Sequence, residues 1–317
     1  MEICKKISAQ NTYSLLNIQS TNQLRGICMI MIILHHAYLD VIKLNEYYFD
    51  KLPQCLLEFG YWGTGIFFFL SGYGMFFSLI KHTISPQQHY YLKKIKKLFI
   101  PFLACWIIYL FIDLILNNST PTFKTIIDFI SLAKPYSEAW FYKVIVVAYI
   151  ILFISFRFIH SNSLKVFTIL FFCLIYIIWA KNIGLGSYWY NSILNLPLGL
   201  FFAYKINWIR SFNPIIILFI SILGFYISNG LSPIFTSIFF TLIAVYLTIY
   251  ITKKSKILLF IGQNSLLFYL FQTPIPLYSH ITNPYILFMT FFIQRFFEKS
   301  ILIYFYNRLI EKFKLYD

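Results

Sequence analysis

From Leu24 to Arg308 the chain is a succession of apolar runs, each near the length that crosses a bilayer. A membrane helix needs about 20 consecutive apolar residues. Ten stretches answer to this: Leu24–Ile42, Tyr61–Ile80, Leu98–Leu116, Trp140–Phe158, Leu164–Asn182, Tyr188–Ile206, Pro214–Ser228, Ser232–Ile251, Ile257–Tyr278 and Pro284–Arg308. Open strands are excluded, because each unpaired backbone group in lipid costs several kcal/mol, and the alternation of a β-barrel is absent. Composition agrees. The chain is 59% hydrophobic and only 12% charged, against about 25% charged in soluble domains. So little charge cannot cover a water-facing surface. A soluble enzyme, a disordered chain and a nucleic-acid-binding domain are all excluded, and an all-α polytopic membrane protein of about ten helices is predicted.

The basic residues orient it. With the N-terminus inside, 18 of the 26 Lys and Arg fall in cytoplasmic segments and 5 in outer ones, while Lys143, Arg295 and Lys299 lie inside apolar runs. Cytoplasmic loops carry the Lys/Arg excess, so both termini are expected in the cytoplasm. The same bias accounts for the net charge of +15 without a nucleic-acid partner. A short segment, 1–23, precedes one membrane domain, 24–308, and a tail, 309–317, follows. No small-residue cleavage site follows the first run, which reads as a retained helix. No internal repeat is visible. The five cysteines have no disulfide-framework or metal-type spacing, so no metal is expected.

Ionisable groups inside membrane helices are functional candidates by default. The first run opens Leu24-Arg25-Gly26-Ile27 and later carries His35-His36. At 1.5 Å per residue His36 lies about 16 Å deeper than Arg25, and eleven steps of about 100° return it to within about 20° of the same face. His35 points about 80° away by the same count. A base and a cation on one face can line a shared cavity; the plainer reading is an interhelical hydrogen bond. Asp40 is one turn beyond His36 and is placed to orient its ring. The second run has one small side, made by Gly60, Gly63, Gly65, Ser71, Gly72 and Gly74, which suits close helix packing.

Four lysines stand before Pro101, with Lys93 and Lys97 one turn apart on one face. They suit the phosphates of a nucleotide-type donor, or serve as a plain membrane anchor. Aromatic groups around Trp62, Trp140 and Trp189 read as an interfacial belt on the outer side, with sugar stacking as a second use. Glu138 lies on that side too. In the last run Arg295, Glu298 and Lys299 either pair across one turn inside the bundle or mark a helix that begins later.

These stretches together resemble acyltransferase family 3, the bacterial integral-membrane acyltransferases of surface glycans. LRGI with a His eleven residues after the Arg is similar to its first-helix pattern, and FFFLSGYGMFFS from Phe67 to its second-helix signature. KKIKKLFIP from Lys93 resembles its basic segment, and IGQNSLLFYLFQTP from Ile261 its late stretch. The resemblance implies transfer of an acyl group from cytoplasmic acyl-CoA, commonly acetyl-CoA, to a hydroxyl of an extracytoplasmic glycan or glycan-lipid. It implies a place in the bacterial cytoplasmic membrane. Arg25 and His36 match the family's helix-one pair, and Lys93 and Lys97 fall where an Arg-x-x-x-Arg pair is frequent. Lysine keeps the charge there but not the bidentate fork. Gln272 stands where many members have His.

The chemistry is consistent. A hydroxyl acceptor needs a base, for which His36 serves, and the thioester oxyanion needs donors, for which Arg25, Asn264 and Ser265 are candidates. The expected partners are the glycan or glycan-lipid acceptor and the lipid bilayer. A transporter or flippase for a glycan-lipid is the alternative, using the same polar interior without chemistry; a structural subunit of a glycan-export assembly is a third.

Overall fold

A computed structural model describes residues 15–44, 50–84, 90–117, 140–250, 254–271 and 283–313. Every regular element among them is helical. In chain order these are α1 (Ile18–Leu44), α2 (Cys55–Ile84), α3 (Tyr90–Asn117), α4 (Trp140–Phe158), α5 (Asn162–Asn182), α6 (Asn195–Tyr204), α7 (Ile206–Arg210), α8 (Pro214–Ser228), α9 (Pro233–Tyr250), α10 (Lys256–Gln263), α11 (Ser265–Leu270) and α12 (Pro284–Phe313).

Local chemistry marks several starts. Asn17 Oδ1 accepts from the Ser20 amide at 2.8 Å and so caps α1. The pairs Asn213-Pro214 and Asn283-Pro284 use one device twice. Asn213 Oδ1 accepts from the Ile215 amide at 2.9 Å, and Asn283 Oδ1 from the Tyr285 amide at 3.0 Å. In both, proline fills the first helical position, where no amide partner is needed. α3 includes all four lysines and runs through Pro101, so the basic segment is part of the helix.

Five of these helices are long and apolar enough to cross a membrane: α1, α2 over Cys55–Ile80, α4, α5 and α9; α8 is apolar but shorter. Large apolar side chains stand exposed along α5 and α8, among them Phe167, Phe171, Phe219 and Tyr226. Monomeric soluble proteins rarely expose patches of this kind, whereas lipid covers them. This is a membrane protein. Two runs expected to be continuous are broken. Tyr188–Ile206 becomes a 3-10 turn at Ser187–Trp189, then α6, then α7 beyond Lys205. The run from Ile257 is interrupted at Asn264, between α10 and α11. Broken helices occur at membrane depth where protein surrounds them, and α6 is buried along most of its length.

The chain forms two compact units: Met1–Ile32 with Glu58–Pro86 and Ile150–Gln263, and Ile33–Leu57 with Gln87–Tyr149 and Asn264–Asp317. In the first, glycines set the helix crossings reciprocally. A Cβ on Gly72 would strike the Leu196 carbonyl, and one on Gly199 the Phe69 carbonyl, so α2 and α6 touch backbone to backbone. Gly26 and Gly262 do the same, against the Leu258 and Asn22 carbonyls, for α1 and α10. A polar seam adds direction. Thr64 Oγ1 donates to Ser192 Oγ at 3.0 Å, which donates to the Tyr61 carbonyl at 2.6 Å. Asn195 Nδ2 donates to Ser237 Oγ at 3.0 Å, and Ser237 Oγ donates to the same Tyr61 carbonyl at 3.4 Å. Interhelical bonds of this type contribute about 0.6–2 kcal/mol each in membranes. Trp62 is buried here, stacked on Phe240 with ring centroids 4.5 Å apart and edge-on to Phe225. It is a packing residue, not part of an interfacial belt.

In the second unit Tyr38, Val41, Leu52 and Leu287 form an apolar cluster, flanked by Leu56 and Phe291. Phe102 stacks on Tyr142, Phe141 meets Tyr269 edge-on, and Phe268 stacks on Phe296. The Cys105 thiol donates to the Leu270 carbonyl at 3.0 Å.

Candidate active site

α1 is one uninterrupted helix that carries Arg25, His35, His36 and Asp40. The two histidines differ in use. His35 Nδ1 lies 3.2 Å from the Leu56 carbonyl. A carbonyl only accepts, so this bond employs the Nδ1–H form and fixes the His35 ring to the backbone at the start of α2. The His36 ring sits edge-on to His35, centroids 5.2 Å apart at 69°. The hydrogen-bonded packing role falls on His35. His36 is half-buried.

One turn beyond His36, Asp40 meets Arg295 of α12. Arg295 Nη2 is 2.6 Å and Nε 2.7 Å from Asp40 Oδ2, and the two side chains are 2% and 12% exposed. Sequence reading left two arrangements for Arg295, Glu298 and Lys299: pairing across one turn, or a later helix start. The helix starts at Pro284 and is continuous, and Arg295 pairs across to α1. Glu298 Oε1 instead accepts from Gln294 Nε2 within α12, at 2.8 Å. Lys299 is 1% exposed. Asp40, one turn from His36 on α1, thus meets Arg295, one turn from Lys299 on α12.

The other candidates lie as follows. Arg25 is half-buried near the start of α1, with Nη1 3.5 Å from Asn22 Oδ1; it belongs to the first unit, and His36 to the second. Lys93 and Lys97 are exposed on the first turns of α3. Asn264 stands at the break between α10 and α11, where its Oδ1 accepts from Asn307 Nδ2 at 3.1 Å. Ser265 opens α11 and is half-buried. Glu138 and Gln272 lie outside the described residues.

Arg295 and Lys299 were missed as site residues. Their signal was present, since two cations within an apolar run demand a burial site with partners. The partner helix was not legible, because Asp40 is 255 positions away. The arrangement is an imidazole with an ion pair one turn to one side and a buried ammonium close by. It can accept a proton from a hydroxyl and stabilise negative charge beside it. No group of three or more His, Cys, Asp or Glu among the described residues could hold a metal ion.

Comparison with known proteins agrees in kind. No curated protein and no solved structure matches the chain. A family model does: Acyl_transf_3, described as an acyltransferase domain, matches residues 18–305. With nearly the whole of its length covered and the first-helix residues inside the match, the chain belongs to acyltransferase family 3.

Proposed function

We propose that the protein is a membrane O-acyltransferase of the bacterial cytoplasmic membrane. It moves an acyl group, acetyl in the first instance, from cytoplasmic acyl-CoA to a hydroxyl of an extracytoplasmic glycan or glycan-lipid. The observation that carries this reading is the family match over residues 18–305. The charge asymmetry supports the donor side: 18 of 26 basic residues fall where a cytoplasmic donor would enter, Arg25, Lys93 and Lys97 among them. His36 supports the chemistry, as a neutral imidazole offers a ring nitrogen that can accept the proton of a hydroxyl. In this scheme His36 takes the proton of the acceptor hydroxyl as its oxygen attacks the thioester carbonyl. Lys93 and Lys97 hold the donor's phosphates. Both termini lie in the cytoplasm.

The test has two arms. Mass spectrometry of the surface glycan with and without the protein should show an acyl substituent only with it. Purified protein in nanodiscs should release free CoA from acetyl-CoA in an acceptor-dependent way. A transporter would move its glycan-lipid and consume no acyl-CoA, and that outcome would refute the proposal.

A further inference from the structure

We infer that Lys299 is a catalytic residue of this transfer, its ammonium holding the oxyanion that forms on the thioester carbonyl. The inference rests on the acyl-transfer reading above and adds a residue to it. Three observations carry it. Lys299 is 1% exposed on α12, and withdrawing a charge from water is costly. The Asp40–Arg295 bond ties α12 to α1 one turn from His36, and Lys299 is one turn from Arg295. Leu287, two turns before Arg295 on α12, shares an apolar cluster with Val41 and Leu52, which follow Asp40, so the two helices run antiparallel and the Lys299 turn lies level with the His36 turn.

The other cations near His36 are placed for other work. Arg295 commits both Nε and Nη2 to Asp40. Arg25 stands eleven residues from His36, about 16 Å along the helix axis, and an arginine side chain reaches less than half of that. It can hold a phosphate at the end of the helix but not the carbonyl oxygen beside His36. Lys43 lies two turns beyond His36, at the other end of α1.

The step balances without another reactant. The acceptor oxygen bonds to the thioester carbon while its proton passes to His36. The carbonyl π pair moves to oxygen, where Lys299 Nζ holds the negative charge. Collapse reforms the carbonyl and breaks the carbon–sulfur bond. The CoA thiolate then takes the proton from the imidazolium, leaving ester, free thiol and neutral His36. The Asp40–Arg295 pair acts through the other two residues, as a positioning pair.

The experiment compares wild type, Lys299→Met and Lys299→Arg in nanodiscs, measuring CoA release at varied acetyl-CoA. Methionine keeps the unbranched apolar stem and removes the charge. Its kcat should fall by about 100-fold or more, the loss seen when one oxyanion donor is removed. Its KM for acetyl-CoA should stay within about twofold, since the interaction is made only in the transition state. Arginine should hold kcat within about tenfold of wild type. If the methionine variant is not recovered folded, Lys299→Gln takes its place. A second arm needs no activity: with the native cysteines removed and Cys placed at 36 and 299, a short bifunctional thiol reagent should cross-link the two. An active wild type with an equally active methionine variant overturns the role alone, and absence of the cross-link overturns the juxtaposition. A wild type that transfers no acyl group overturns the function itself and this role with it.

Discussion

Replacing Asp40 with Asn should destabilise the protein far more than the loss of one carboxylate implies. The Arg295 side chain is 2% exposed and gives two donors, at 2.6 and 2.7 Å, to Asp40 Oδ2. Removing one partner of a buried pair costs about 3–5 kcal/mol, because the remaining charge stays buried and uncompensated. Asp40 is 12% exposed, so some water reaches the pair and the lower end, about 3 kcal/mol, is the working figure. That is a factor of more than about 100 in the unfolding equilibrium. Arg295→Met should lose less, since the Asp40 carboxylate left behind can turn to that water. The double variant should return to within about 1 kcal/mol of wild type, as the charge and its desolvation vanish together. The coupling energy should then be about 2–3 kcal/mol. The assay is reversible unfolding in mixed micelles of rising SDS content, followed by tryptophan fluorescence. If both single variants stay within about 1 kcal/mol of wild type, or the double loses the sum of the singles, the pair is not a buried electrostatic unit and the reasoning fails.

Other substitutions separate packing from chemistry. His36→Ala should abolish acyl transfer at normal protein levels. His35→Ala should keep most of it and lose about 1 kcal/mol of stability, the net worth of one hydrogen bond; the reverse pattern in paired activity and unfolding measurements would reassign the two rings. Gly199→Ala puts a Cβ onto the Phe69 carbonyl and should cost about 1–3 kcal/mol as overpacking. Gly74→Ala meets nothing within 4 Å and should be close to neutral or slightly stabilising in the same assay. The pair Lys93→Glu with Lys97→Glu should weaken acetyl-CoA binding sharply, and raised salt should weaken wild-type binding by screening; equal affinity for both forms would leave these lysines as membrane anchors only.

The helices were legible because length and apolarity decide them, and α1, α4, α5, α8 and α9 lie close to where the runs place them. The breaks at Lys205 and Asn264 were not, because a hydropathy run does not register a single residue that leaves helical geometry. The small face of α2 was read as an interface, and Gly72 lies against the Leu196 carbonyl of α6. Its polar complement in Thr64, Ser192, Asn195 and Ser237 was missed, since Ser and Thr inside apolar runs look alike whether they bond to their own helix or to another. Trp62 misled for a related reason. An aromatic beside glycines at the end of a run resembles an interfacial anchor, yet the space those glycines open lets it stack inside, on Phe240. For the site, the spacing of Arg25 and His36 was available from the chain, whereas the placement of Arg295 required a fold.

The seam on the Tyr61 carbonyl also sets an order for biogenesis. Ser192 follows Thr64 by 128 residues. At about 5–20 residues per second of synthesis, Thr64 waits on the order of 6–26 s for that partner. During the wait its hydroxyl needs an acceptor in lipid, and one is at hand: Thr64 Oγ1 lies 3.0 Å from the Gly60 carbonyl and 3.2 Å from that of Tyr61, both on its own helix. Threonine at 64 thus lets α2 enter the bilayer already satisfied, then share its proton with Ser192 when that loop arrives. A longer polar side chain at 64, such as Gln, would reach past its own carbonyls and arrive unsatisfied. Its harm should therefore appear at insertion, as protein lost to quality control, before any defect in the finished molecule.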